Sequence, residues 1–143
     1  MLAEDFGVAS EVWSATSFSE LAREARAAER HNRLNPLAET QLSHLETCLG
    51  GPAPIVAASD YVRAWPQLIA AYLEAPFTAL GTDGFGRSDY RRKLRSFFEV
   101  DRNFVAVAAL KALADDQLVS NKLVADAIDR YAIDPEKPDP MRA

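Results

Sequence analysis

The residues best suited to bind a ligand lie in one glycine-rich stretch, Leu80-Gly81-Thr82-Asp83-Gly84-Phe85-Gly86-Arg87-Ser88-Asp89. Glycine adopts positive φ and allows close backbone approach, so this glycine density predicts a tight turn from a strand into a helix. Ser88 is a favourable N-cap, Asp89 suits a first helical turn, and amides exposed at such a helix start can bind an anion. The spacing G-x-x-G-x-G is neither the dinucleotide pattern nor a phosphate loop, so a structural turn and a ligand loop both remain open.

Four arginines surround the predicted start of this helix, Arg87, Arg91, Arg92 and Arg95. Arg91 and Arg95 have i,i+4 spacing, and such a cluster can bind phosphate or carboxylate through paired hydrogen bonds. The alternative is a solvated or interfacial helix face whose arginines pair with the surplus acidic residues of the chain. The candidate anion or partner site, named here the glycine-turn site, consists of Asp83, Gly84, Phe85, Gly86, Arg87, Ser88, Arg91 and Arg92.

The two histidines and the single cysteine predict no catalytic centre and no metal centre. Neither His31 nor His44 has a further ligand at metal-binding spacing on its own helix. Cys48 lies in an apolar turn without a basic neighbour in sequence, which indicates a packed thiol rather than a nucleophile.

The dipeptide Asp83-Gly84 is superficially similar to the start of the Gly-Asp-Gly motif that binds thiamine diphosphate and magnesium. Thr82 replaces the first glycine, and Asn103 is too close to be the later asparagine of that motif. We therefore predict no catalytic, cofactor-binding or metal-binding residue in this chain.

Composition and charge place the chain among ordinary globular proteins. Its 143 residues, 48% of them hydrophobic and 26% charged, are enough for one domain with a real core. The net charge of −5 argues against nucleic acid and anionic membranes as partners. One cysteine permits no disulfide within the chain, and we find neither a signal peptide nor a membrane-spanning apolar run, so we expect a cytoplasmic protein.

Local signals divide the chain into alternating helices and strands. The predicted N-caps are Ser17, Ser43, Asp101 and Ser120, the first two in capping boxes with Glu20 and Glu46. The predicted helices are Met1–Val8 ended by Gly7, Ser17–Asn32, Ser43–Gly50, Tyr61–Leu73 disturbed by Pro66, Asp89–Phe98, one that begins at Asp101, and Ser120–Tyr131. The predicted strands are Glu11–Thr16, Pro54–Ala58 and Phe77–Gly81.

Strands that alternate with helices predict an α/β fold, a three-layer sandwich in which a small, mostly parallel sheet is flanked by helices. The domain is predicted over residues 1–133, followed by an extended proline-rich tail at residues 134–143. Three strands make a thin sheet and the first helix begins without a cap. We therefore expect that a first strand and half a helix are missing, which would leave a sheet edge or groove open.

Four motifs, taken together, are highly specific for one protein family: VWSATSFSEL, ERHNRLNP, LGTDGFGRSD and FFEVD. With the surrounding sequence, they make nearly the whole chain resemble the C-terminal domain of the homodimeric decarboxylase component of bacterial pyruvate dehydrogenase complexes, within the transketolase-like superfamily. At one helix end, His31 and Asn35 differ from the residues that are more common in that family. The resemblance implies the fold predicted above and a fragment that lacks the upstream catalytic domains.

The resemblance also implies a function in the oxidative decarboxylation of pyruvate and the reductive acetylation of lipoyl groups. The full enzyme uses thiamine diphosphate and magnesium, whose binding residues lie upstream in the family, so this chain alone is expected to bind no cofactor and to be inactive. The implied partners are the upstream domains, a second copy in self-association or a homodimer, and indirectly the acyltransferase core. Two alternatives remain: a binding or regulatory module that uses the glycine-turn site for an anionic ligand or partner, and an independent transketolase-like protein.

Overall fold

A computed structural model of the chain describes residues 1–143 and contains seven α-helices and two β-strands. In chain order the elements are α1 (Leu2–Phe6), α2 (Phe18–Leu34), α3 (His44–Leu49), β1 (Ile55–Ala58), α4 (Ala64–Gln67), a 3₁₀ turn (Ala70–Tyr72), β2 (Phe77–Leu80), α5 (Arg91–Phe97), α6 (Arg102–Asp115) and α7 (Asn121–Arg130). None of the helices is both long and apolar enough to cross a membrane.

The two strands form a parallel pair and confirm the predicted α/β class. Ile55 is in register with Phe77, and Ala58 is in register with Leu80. The Ile55 N–H donates to the Pro76 carbonyl at 2.9 Å. Helix α6 contacts both strands, while Phe77 packs into an apolar cluster built around α2 and α3. The sheet therefore lies between two groups of helices.

The core consists of two small apolar clusters. The first surrounds Leu45 and Ile69 and includes buried alanines of α2, and the second surrounds Leu110 and Val124 where α6 meets α7. Helix α6 carries Lys111 as its one charged side chain between its two end turns, so it has almost no polar face. An apolar helix of this kind can contact the sheet on one side and α7 on another.

The four predicted N-caps are confirmed. Ser17, Ser43 and Ser120 each accept a hydrogen bond from the backbone N–H three residues later, and Asp101 accepts two. The capping box at Ser43 is complete, because the Ser43 N–H donates to Glu46 Oε2 at 2.7 Å and thereby lowers the pKa of Glu46. The box at Ser17 is half formed, since the Glu20 carboxylate binds Arg23 instead. Gly7 ends α1 with φ of 67°, as predicted.

The predicted strand Glu11–Thr16 is wrong. These residues form neither helix nor strand, they are exposed, and no backbone hydrogen bond joins them to the rest of the chain. A strand needs a partner for its amide and carbonyl groups. The alternating pattern is present here, but no neighbouring strand lies beside it.

The predicted helix Tyr61–Leu73 is also wrong as one element. Proline has no N–H and cannot continue a ladder of i to i−4 hydrogen bonds. Pro66 is buried inside the four-residue α4, and the chain then continues through i to i−3 bonds, such as the Ile69 N–H to the Pro66 carbonyl, into the 3₁₀ turn. The result is a compact irregular crossover between the parallel strands.

Helix α5 begins at Arg91, so the prediction that Ser88 caps it is wrong. Ser88 is exposed, and Tyr90 occupies the N-cap position without a side-chain hydrogen bond. The Asp89 carboxylate accepts the neighbouring Tyr90 N–H at 2.8 Å, a local bond that competes with helix formation. The stretch from Gly81 to Tyr90 is therefore one long loop followed by a seven-residue helix.

Residues 134–143, predicted as an extended tail, form two turns and fold back onto the domain. The Lys137 N–H donates to the Asp134 carbonyl and the Arg142 N–H to the Asp139 carbonyl. The Lys137 ammonium binds the Phe97 carbonyl at 2.7 Å. Three prolines interrupt regular hydrogen bonding, but these side-chain and turn contacts hold the segment in place.

Helix α1 is joined to α7 by an ionised carboxylate at Asp5. The Tyr131 hydroxyl donates to Asp5 Oδ2 at 2.9 Å, and Arg130 Nη2 lies 2.6 Å from Asp5 Oδ1. The hydrogen bond from Tyr131, followed by the charge of Arg130, holds the pKa of Asp5 below its ordinary value of 3.8. Protonation of Asp5 therefore weakens this junction.

This pKa shift predicts a loss of stability in acid. Because the folded pKa lies below the unfolded one, the contribution of Asp5 is fully present above about pH 4 and disappears as the pH falls through the folded pKa. Urea unfolding from pH 7 down to about pH 3 should show a shallower decline for Asp5→Asn than for the unchanged chain. The exposed carboxyl variant Asp116→Asn is the control and should keep the original slope. Equal slopes for all three proteins would contradict the role of Asp5.

Candidate functional site

The candidate site lies where the two parallel strands end at the same edge of the sheet. The loop after β1 and the glycine-rich loop after β2 are joined by hydrogen bonds. The Thr82 N–H donates to the Tyr61 carbonyl at 2.9 Å, and the Thr82 hydroxyl donates to the Asp60 carbonyl at 3.1 Å. Loops at the carboxyl edge of a parallel sheet are the usual position for ligand sites in α/β folds.

Two of the three glycines are required by close contacts. A Cβ on Gly81 would lie 2.5 Å from the Arg63 backbone nitrogen, and one on Gly84 would collide with the Pro140 carbonyl. Gly84 also has φ of 103°, a conformation that other residues rarely adopt. Gly86 has open space around it. The loop is thus shaped by backbone packing, on one side by the loop after β1 and on the other by residues 134–143.

Asp83 anchors the loop through Arg63. Its carboxylate accepts the Arg63 backbone N–H at 3.2 Å and also pairs with the Arg63 guanidinium. Arg63 Nη2 further lies 3.0 Å from Met141 Sδ. Asp83, predicted as a site residue from sequence, therefore ties together three segments of the chain.

The arginines divide into paired and unpaired groups. Arg91 Nη2 lies 3.4 Å from Asp60 Oδ2 and Arg95 Nε lies 3.1 Å from Asp60 Oδ1, so one carboxylate serves both. The Arg87 guanidinium stacks over the Phe97 ring, 4.1 Å from its centroid. Arg92 is exposed and has no carboxylate partner. Two arginines of the cluster thus pair with an acidic residue, whereas Arg92 has no such partner.

The surface around this loop is basic and aromatic. Basic side chains outnumber carboxylates, with Arg63, Arg87, Arg91, Arg92, Lys93 and Arg95 near Asp60, Asp83 and Asp89. Phe85 at the tip of the loop is 81% exposed, and Tyr90 and the tilted ring pair Tyr61 and Trp65 are also exposed. Arginine and aromatic residues are enriched at protein interfaces. The exposed aromatic residues of the β1 loop were missed from sequence, because no motif connects them to the glycines.

A small cavity opens beside α5 at the base of the loop. Its volume is about 440 Å³, and it is lined by Arg87, Ser88, Asp89, Lys93, Leu94 and Phe97. The lining combines two cations, one carboxylate, a hydroxyl and one aromatic ring, and the Lys93 ammonium lies 3.9 Å from the Asp89 carboxylate. Ser88 and Arg87 of the predicted site lie in this cavity, whereas Phe85 lies at the exposed loop tip.

The geometry around Asp83 does not fit a magnesium diphosphate site. Magnesium requires several oxygen ligands in octahedral arrangement, whereas the Asp83 carboxylate is occupied by the arginine described above. No group of three or more His, Cys, Asp or Glu side chains is arranged to hold a metal ion.

His44 and Cys48 form a contact that sequence reasoning missed. Cys48 Sγ lies 3.5 Å from His44 Nε2 on consecutive turns of α3. The i,i+4 spacing within a predicted helix was the available signal. His31 lies elsewhere, at the end of α2, next to the Asn35 side chain. The two histidines are therefore not part of one site.

Comparison with known proteins identifies a family and a set of relatives. Residues 1–101 match the family model described as the transketolase-like TK C-terminal domain. The chain is 49% identical over 99% of its length to the pyruvate dehydrogenase E1 component of Pseudomonas aeruginosa. It is 49% identical over 99% of its length to that of Cupriavidus necator and 44% identical over its whole length to that of Escherichia coli. In each case the chain spans 16% of the length of the relative.

Proposed function

This chain belongs to the family of transketolase-like TK C-terminal domains, and we propose that it acts as the C-terminal, non-catalytic domain of a pyruvate dehydrogenase E1 component. The observation that carries the proposal is the 49% identity to such a component over 99% of the chain. In this role the domain supports the oxidative decarboxylation of pyruvate and the reductive acetylation of lipoyl groups. Thiamine diphosphate and magnesium, which supply the decarboxylation chemistry, bind in other parts of the enzyme.

The non-catalytic part of the proposal is supported by what the ionisable residues do. Asp60 and Asp83 are engaged by arginines, and Asp5 joins α1 to α7. General acid–base chemistry requires a titratable group within reach of a bound substrate, and these carboxylates are used to hold loops and helices together. Alone, the chain is expected neither to bind thiamine diphosphate nor to decarboxylate pyruvate.

The proposed contribution of the domain is packing against the rest of the enzyme and a second subunit. Trp13 is 57% exposed and Val12 is 94% exposed, in a segment without backbone partners. Apolar side chains and unpaired backbone groups of this kind favour association. The acyltransferase core would be reached only indirectly, through the assembled enzyme.

A chimera tests the proposal. Residues 1–143 are inserted into the Pseudomonas aeruginosa E1 component in place of the matched stretch, and pyruvate-dependent acetyl-CoA formation is measured in the reconstituted complex. We expect activity within about tenfold of the parent, because the catalytic residues are untouched and the packing surfaces are similar. The parent without the matched stretch is the control and should be inactive. A folded chimera without activity would contradict the proposed role.

A second candidate function is an anion or partner site at the glycine-turn site. The free guanidinium of Arg92, the stacked Arg87 and the cavity beside α5 favour it over a purely structural loop. In this role the domain would bind an anionic regulator or an acidic segment of another component. The whole chain has a net charge of −5, whereas the side chains around this loop are mostly basic, so an anion would be attracted to this part of the surface.

Charge reversal tests this second candidate. The double variant Arg91→Glu and Arg92→Glu should reduce the affinity for inorganic pyrophosphate by about tenfold or more, because two cations are replaced by repelling carboxylates. Binding is measured by titration calorimetry, with circular dichroism to establish folding. Arg30→Glu and Arg33→Glu on α2 carry the same change of charge outside the glycine-turn site and serve as the control. Unchanged affinity in the first variant would remove this function.

A further inference from the structure

The last residues of the chain pack against the glycine-rich loop after β2. A Cβ built on Gly84 would lie 2.3 Å from the Pro140 oxygen and 3.2 Å from the Met141 Cα. Both neighbours are backbone atoms, and the positive φ of Gly84 already excludes most other residues. The two backbones fit together only while both stay in place, so a displacement of Met141 changes the surroundings of Gly84.

The Met141 side chain makes a second contact beside the same loop. Its Sδ accepts a hydrogen bond from Arg63 Nη2 at 3.0 Å. Arg63 in turn holds the loop, because its backbone N–H and its guanidinium both bind the Asp83 carboxylate. The end of the chain is thus connected to the residue that positions the glycine-rich loop. We refer to these contacts together as the tail contact, formed by Pro140 and Met141 on one side and by Gly84 and Arg63 on the other.

The preceding part of the tail is held independently at Lys137. The Lys137 ammonium binds the Phe97 carbonyl at 2.7 Å and lies 3.0 Å from Glu99 Oε1. It also lies over the rings of Phe97 and Phe104, 5.5 Å and 5.3 Å from their centroids. These charge-assisted and cation–π contacts keep the tail in place up to this residue, so a change at Met141 moves only the residues beyond it.

The sulfur of Met141 is open to oxidation. The chain has two methionines, and Met141 is 53% exposed. A thioether sulfur has two lone pairs, so the hydrogen bond from Arg63 leaves one of them free to attack an oxidant. Hydrogen peroxide transfers one oxygen atom to such a sulfur: the O–O bond breaks, an S–O bond forms, the sulfur gives up two electrons and the peroxide is reduced to water.

We propose that Met141 is an oxidative modification site, at which hydrogen peroxide forms methionine sulfoxide and thereby opens the tail contact. The sulfur of a sulfoxide carries a partial positive charge, so the Arg63 guanidinium repels it instead of donating to it. The hydrogen bond forms again only through the added oxygen, which requires the sulfur to move away from Arg63. Because the Met141 Cα packs against Gly84, this movement separates residues 139–143 from the glycine-rich loop. The modification depends on neither proposed function.

Treatment of the intact 143-residue chain with hydrogen peroxide tests this modification. Mass spectrometry measures the oxygen added at position 141, and hydrogen exchange is followed by NMR at two amides. The Arg63 N–H donates to Asp83, and the Arg142 N–H donates to the Asp139 carbonyl. We expect oxidation to speed the exchange of both amides about fivefold or more and to leave the amides of α6 unchanged. Methionine sulfoxide reductase should restore the original rates, because it reduces the sulfoxide to the thioether.

A matched pair of variants separates this sulfoxide from other oxidation products. Met141→Leu keeps an apolar side chain that peroxide does not oxidise, so its exchange rates should not respond to peroxide, although Met1 and Cys48 remain. Met141→Gln carries an oxygen on the atom that replaces the sulfur, so without peroxide it should exchange like the oxidised chain. The proposal is overturned if oxidation at position 141 leaves the exchange of Arg63 and Arg142 unchanged, or if Met141→Leu responds to peroxide as strongly as the original chain.

Discussion

Gly81→Ala is expected to destabilise the folded chain by about 3 kcal/mol, since overpacking against rigid backbone and the loss of a hydrogen bond both contribute. A Cβ at this position would lie 2.5 Å from the Arg63 nitrogen, 2.6 Å from the Tyr61 oxygen and 2.9 Å from the Arg63 Cα. All three are backbone atoms, so no side chain can rotate away. The added methyl group must separate the loops after β1 and β2 and break the bond from the Thr82 N–H to the Tyr61 carbonyl.

Urea unfolding monitored by circular dichroism measures this effect, and Gly86→Ala is the matched control. Nothing lies within 4 Å of a Cβ built on Gly86, so that variant should change the free energy of unfolding by less than about 0.5 kcal/mol. If the two variants have equal stability, the close approach of the loops at the candidate site is wrong.

Leu110→Ala should destabilise the folded chain to a similar extent, because it creates a cavity in the second apolar cluster. Leu110 is 0% exposed and packs with Ala114, Val124 and Ala127 between α6 and α7. Truncation of a buried leucine costs about 3 kcal/mol, from lost apolar transfer and from the cavity that remains. We expect the midpoint of urea unfolding to fall accordingly.

The matched control for Leu110→Ala is Leu118→Ala. Leu118 is 67% exposed and lies in the connection between α6 and α7. Its free energy of unfolding should change by less than about 0.5 kcal/mol. A loss at Leu118 as large as that at Leu110 would show that the packing between the last two helices differs from that described.

Local chemistry suffices to predict the starts of four helices, α2, α3, α6 and α7, and both observed strands. An N-cap depends on one side chain and an amide three residues later, so Ser43 and Asp101 can be identified from a few neighbouring residues. The strand Ile55–Ala58 can be predicted from sequence because its residues are continuously apolar. The prediction of a strand at Glu11–Thr16 fails because alternation is a property of a single segment. It does not show whether a neighbouring strand is present to pair with that segment.

The candidate site, too, could be predicted from sequence only in part. The glycine density after β2 and the arginines near α5 are visible in sequence, because they lie within a few residues of each other. Their partners are distant in sequence: Asp60 pairs with Arg91 and Arg95, and Pro140 closes against Gly84. Such contacts follow from the chain crossover and the fold-back of the last residues, which no local pattern encodes.

The most direct test of the central claim is a pyruvate-dependent decarboxylation assay on the purified chain with thiamine diphosphate and magnesium, alone and with the remaining part of the Pseudomonas aeruginosa E1 component. The proposed role predicts no activity from either part alone and recovery of activity when the two are combined. Activity of the 143-residue chain by itself would contradict a non-catalytic domain and would require an active centre among its own residues. Persistent inactivity of the combined, folded parts would contradict its assignment to this enzyme.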